Sequence, residues 1–116
     1  MVRKKDNFKK IVREYLNHIP RDIKIEGIFL FGSYVSGKVN RDSDIDLVII
    51  SSNFRKMDFL KRLELLSHVQ GCSRITRSVP MDIIGYTPEE FEAIDKESLI
   101  MREAKKRGKM MYIRRN

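Results

Sequence analysis

Three aspartates carry the chemistry that this sequence could perform: Asp44, Asp46 and Asp82. Asp44 and Asp46 open the apolar run Leu47-Val48-Ile49-Ile50, and they stand two residues apart. Strand side chains alternate between faces, so both carboxylates project from the same side. Asp82 sits inside another apolar run, Val79 to Tyr86, where a carboxylate is costly unless it lies at the strand end, is hydrogen-bonded, or meets a cation. Three carboxylates brought together would repel, and one would keep its proton without a metal. Mg²⁺ resolves that conflict, because it takes oxygen ligands and bridges carboxylates to substrate phosphates. Two such ions suit in-line phosphoryl or nucleotidyl transfer.

Upstream, Ile28-Phe29-Leu30-Phe31 runs into Gly32-Ser33. Gly32 allows close approach of the backbone, and Ser33 with its neighbouring N–H groups could hold β- and γ-phosphates or simply cap a helical turn over 33–37. Lys38 and Arg41 lie in the same connection, within reach of phosphate in this reading. Tyr34 could stack on a base or pack in the core.

These residues need rigid elements. Phe8, Ile11, Val12, Tyr15, Leu16 and Ile19 follow a helical spacing that predicts an amphipathic helix over 6–18, ended by Pro20. Strands are expected from Ile23 to Phe31, from Ile45 to Ser51, and from Val79 to Tyr86. The second is apolar throughout and should be central. Pro80 places the third at an edge or begins it at a strand entry. A helix over 55–70 should bury Phe59, Leu60, Leu63, Leu66 and Val69, with Met57 and Leu65 beside them and Gly71 as its C′ residue. Residues 74–78 read as a loop. Thr87-Pro88-Glu89-Glu90 reads as N-cap, N1 proline and capping box, which starts a helix over 88–94 and makes Glu89 and Glu90 capping residues. A further helix over 96–107 stops at Gly108, and the tail to Arg115 adds a short strand or packs as an arm. The order is that of an α/β (α+β) chain, a small mixed β-sheet covered by helices, with residues 1–116 as a single domain.

Composition sets limits. The chain has 116 residues, 41% hydrophobic and 34% charged, with one cysteine, Cys72. No apolar stretch approaches the roughly 20 residues of a bilayer span, and no signal peptide is evident. A single cysteine excludes a disulfide framework and makes a reducing cytoplasm the default. The formal charge of +8 favours anionic partners without choosing among them. Lys105, Lys106, Arg107 and Lys109 could serve nucleic acid, but no aromatic-interleaved platform accompanies them. His18 and His68 have no spaced partner for a metal or a triad, and nothing around Cys72 suggests a nucleophile.

Gly32-Ser33, ten residues, then Asp44-Ile45-Asp46 resembles the GS-x10-DxD signature of the DNA polymerase beta-type nucleotidyltransferase superfamily, and above all its minimal members, the MNT proteins. Phe31-Gly32-Ser33-Tyr34, Ser43-Asp44-Ile45-Asp46-Leu47, Val79-Pro80-Met81-Asp82-Ile83-Ile84 and the ending Glu103 to Tyr112 all share in the resemblance. It implies a nucleotidyltransferase fold, two Mg²⁺ ions, ATP as donor, Gly32 and Ser33 as triphosphate binders, Asp44 and Asp46 as ligands of both metals, and Asp82 as the ligand of the catalytic metal. It also implies pairing with a HEPN toxin, in which the MNT protein is the antitoxin and adenylylates a tyrosine of its partner. The alternative is a non-catalytic antitoxin that neutralises a HEPN ribonuclease by binding alone.

Overall fold

A computed structural model describes residues 4–32 and 44–111, with side chains from Phe8 onward. Ser33, Tyr34, Lys38, Arg41, the expected helical turn over 33–37 and the tail beyond Met111 lie outside the described residues.

Helix α1 (Lys4–Asn17) presents Ile11, Val12, Tyr15 and Leu16 to the core at helical spacing. Strand β1 (Gly27–Phe31) begins four residues later than the apolar pattern suggests. Ile23 is buried, but its N–H closes a turn on the Pro20 carbonyl at 3.0 Å. The Lys24 N–H donates to Asn53 Oδ1 at 2.8 Å. Those donors are therefore spent before the ladder starts.

Strand β2 (Ile45–Ile50) is buried at every position but Asp46. A 3₁₀ helix (Ser52–Lys56), α2 (Phe59–Gly71) and the short α3 (Arg74–Arg77) connect it to β3 (Met81–Tyr86). Thr87 caps α4 (Pro88–Glu97), and a capping box closes as expected: Glu90 N–H donates to Thr87 Oγ1 at 3.1 Å and Thr87 N–H to Glu90 Oε1 at 2.7 Å. Helix α4 runs three residues past its expected end. Ser98 caps α5 (Leu99–Arg107), and β4 (Lys109–Met111) follows Gly108.

The sheet order is β3-β2-β1-β4, with β1 antiparallel to both β2 and β4, and β2 parallel to β3. Strand β2, apolar but for Asp46, lies inside the sheet, and β3, entered from Pro80, is an edge strand. Ile28, Leu30, Ile45, Leu47, Ile49 and Ile83 face α1 and α2. Phe29, Val48 and Ile50 face the other way, toward Met101, Phe91 and Ile94 of α4 and α5. Side-chain alternation along each strand thus fills two helix-covered cores. Lys105 Nζ clasps α4 by bonds to the Phe91 carbonyl at 2.8 Å and Asp95 Oδ1 at 3.2 Å, so one cation of the basic run has a structural task.

Helix α2 departs from the expected stripe. Leu66 and Val69 are buried with Arg62, whereas Phe59, Leu60 and Leu63 are 57%, 62% and 47% exposed. The cause lies in the 3₁₀ helix, whose Phe54 fills the core beside α2. Arg62 then caps the surrounding carbonyls: its guanidinium donates to Phe54 O at 2.7 Å, Met57 O at 3.0 Å and Gly85 O at 3.2 Å, and pairs with Glu90 at 2.6 Å. Gly71 is the last helical residue, and Cys72 in right-handed helical backbone takes the cap position, so no left-handed C′ glycine is used. Residues 74–77 are helical, not a loop, because Ser73 Oγ accepts from the Ile75 and Thr76 N–H groups. No helix among the described residues is long and apolar enough to cross a membrane.

Candidate active site

Asp46 sits second in β2 and Asp82 second in β3, and the parallel register makes them direct neighbours. The two-residue period puts both on the sheet face of Val48 and Ile50. Asp44 immediately precedes β2 and is exposed, as is Asp82, while Asp46 is half-buried. The chain thus gathers three carboxylates at one end of two neighbouring strands.

Gly32 completes the described part of the site. Its neighbour Phe31 pairs with Asp46 across the β1–β2 ladder. Gly32 has φ of +78°, a left-handed conformation that a side chain would strain. A Cβ built there would collide with Oδ2 of Asp46, so the carboxylate lies directly against the glycine backbone. Ser33, the other expected phosphate binder, lies outside the described residues.

The electrostatics follow from the geometry. Burial, then Asp82, then Asp44, push the Asp46 carboxyl up to about 6. Three carboxylates at one strand end, where burial and then mutual repulsion disfavour the charged form of Asp46, fit a hard divalent cation. Among the described residues, no three His, Cys, Asp or Glu close into a metal cage by themselves. A magnesium ion there would complete its sphere with phosphate oxygens and water, the usual arrangement for that ion.

Two features escaped the sequence reading. Arg62, buried on the core side of α2, ties Gly85 of β3 to the 3₁₀ helix and to Glu90. Its signal was a charged residue one helical turn before the buried Leu66, on the stripe's own face. Glu90, read as a cap alone, is also the Arg62 partner. Burial acts to raise its carboxyl, but the Arg62 and Thr87 hydrogen bonds prevail and hold it below the usual carboxylate range. The second feature is a furrow beside Asp82, with a cavity of about 180 Å³ lined by Phe59, Leu63, Asp82, Ile84 and Gly85. His18 Nδ1 meets the Glu14 carbonyl at 3.0 Å and stands 3.7 Å from the Glu14 carboxylate, and the Cys72 thiol donates to the His68 carbonyl at 3.3 Å.

Comparison with known proteins bears on the family and the fold. A protein of Methanocaldococcus jannaschii named as a protein adenylyltransferase is 30% identical over 67 residues, 58% of this chain and 76% of that protein. A crystal structure named for a nucleotidyltransferase of Sulfolobus solfataricus superposes with a TM-score of 0.65 at 18% identity, covering 95% of this chain and 84% of that one. A toxin–antitoxin structure with AMP-PNP superposes with a TM-score of 0.57 at 20% identity, covering 91% and 73%. The model of the nucleotidyltransferase domain matches residues 5–109, so the chain belongs to the nucleotidyltransferase domain family and is a transferase enzyme.

Proposed function

We propose that the chain transfers AMP from Mg-ATP to a hydroxyl group of a partner protein, and that this partner is a HEPN toxin presenting a tyrosine. The observation that carries this reading is the pairing of Asp46 with Asp82 in register, with the Gly32 backbone against Asp46. In this reading Asp44, Asp46 and Asp82 would hold Mg²⁺, Gly32 and Ser33 bind the phosphates, and Asp82 also faces the acceptor hydroxyl. Bound magnesium would neutralise the triphosphate charge and stabilise the transition state. The acceptor oxygen forms a bond to the α-phosphorus, the bond from that phosphorus to the β-bridging oxygen breaks, and pyrophosphate leaves. The acceptor proton passes to the Asp82 carboxylate and on to water. Asp46, whose carboxyl is pushed up to about 6, must be ionised to serve as a ligand, and a cation favours that form.

Kinship supports a protein acceptor: the Methanocaldococcus jannaschii relative carries the name of a protein adenylyltransferase, and one structural neighbour belongs to a toxin–antitoxin pair. The test is transfer from ATP labelled at the α-phosphate to proteins of the source cell, with wild type and the double variant Asp44→Ala, Asp46→Ala. A labelled band that needs both aspartates supports the reading and gives the acceptor's mass. Tight, label-free association of wild type with a toxin would replace it with neutralisation by binding alone.

A further inference from the structure

We propose that the furrow between α2 and the open edge of β3 docks an extended segment of the acceptor protein, laid along β3 as an added strand with its hydroxyl side chain at Asp82. This rests on the nucleotidyl-transfer reading above and specifies how that site receives its acceptor.

Strand β3 is outermost in the sheet, and among the described residues no strand pairs with its free side. Gly85 turns its carbonyl to that side, where Arg62 meets it. The two-residue period turns the backbone groups of Ile83 and Met81 the same way, offering donors and acceptors to an incoming strand. The opposite wall is α2. Phe59 and Leu63, one helical turn apart, stand 57% and 47% exposed beside this edge. Large apolar side chains gathered next to unpaired strand edges mark interaction surfaces. Two adjoining cavities, about 180 and about 80 Å³, share Leu63, Asp82 and Ile83, so Asp82 borders both.

Charge narrows the occupant. Gln70 lines the smaller cavity and holds α3 by donating to Thr76 O at 3.2 Å, and it donates to Val79 O at 2.9 Å. Helix α3, tied to Gln70 through the Thr76 carbonyl, carries exposed Arg74 and Arg77. The complementary segment is strand-forming and apolar, with a hydroxyl residue flanked by acidic ones. A second copy of this chain would cover Asp82, which the acceptor must reach.

The probes are short Val-rich peptides carrying one tyrosine or serine between glutamates, offered to the full chain with Mg-ATP labelled at the α-phosphate. Wild type should label them. Phe59→Ser and Leu63→Glu should each raise the peptide KM about tenfold or more while leaving Mg-ATP affinity unchanged, and Leu63→Met should behave as wild type. Peptide binding should slow exchange of the Ile83 and Gly85 amides and not that of Ile84. Equal labelling by wild type and Leu63→Glu, or no peptide labelling by protein that binds Mg-ATP, would overturn the docking proposal. Protection of the same amides by self-association without peptide would also overturn it. Failure to bind Mg-ATP at all would instead overturn the nucleotidyl-transfer reading.

Discussion

The backbone of Gly32 lies against Oδ2 of Asp46, so no side chain fits at position 32 while that carboxylate keeps its place. Gly32→Ala should misplace the Asp46 carboxylate as well as strain a backbone at φ of +78°. A displacement near 1 Å in a catalytic array costs on the order of 10²-fold in rate. The strain costs about 1–2 kcal/mol of stability. Transfer rate and thermal unfolding of the variant check both, and a variant with unchanged transfer would place the Asp46 carboxylate outside the reaction.

Asp46 also sets a pH signature. Its carboxyl is pushed from 3.8 up to about 6 in the folded chain, by burial first and then by Asp82 and Asp44. Below about pH 4 both folded and unfolded forms are protonated, and the group contributes nothing. Between about pH 4 and pH 6 the unfolded chain releases the proton while the folded chain keeps it, so stability falls as pH rises. Above about pH 6 the deficit is constant, and with the residue only half-buried it amounts to about 1 kcal/mol. Asp46→Asn should therefore melt a few degrees above wild type at pH 7.5 without divalent cation, and the gap should close near pH 4. Equal melting curves at both pH values would contradict the raised Asp46 carboxyl.

Arg62 holds the wall behind the site. Replacing it with Met takes the guanidinium donors from the carbonyls of Met57, Gly85 and Phe54, the last of which keeps the Met57 N–H, and takes the cation from Glu90. Arg62→Met should cost about 3 kcal/mol. Arg62→Lys should recover little, since an ammonium cannot span carbonyls that a planar fork reaches together. The urea midpoint measures both, and a Lys variant as stable as wild type would reduce the network to a point charge.

The strands and the carboxylate spacing were legible because period-two alternation depends on nearest neighbours in the chain. The same holds for Thr87 and Glu90, whose reciprocal bonds span three residues. The face of α2 was not legible. Phe59, Leu60 and Leu63 look like core by spacing, but Phe54 reaches that core from a segment five residues upstream. Arg62 is buried for reasons that exist only once Phe54, Gly85 and Glu90 meet around it. The adjacency of Asp46 and Asp82 depended on strand order: with β3 placed beside β4 instead of β2, the same sequence pattern would hold no joint site.

The proposed reaction turns on which phosphorus the acceptor attacks. The direct measurement is the same reaction run twice, with ATP labelled at the α-phosphate and at the γ-phosphate, in Mg²⁺, with wild type and Asp82→Asn. The α label should remain on the acceptor protein, the γ label should leave with pyrophosphate, and both outcomes should depend on Asp82. Retention of γ label, or α labelling indifferent to Asp82, would contradict that reaction.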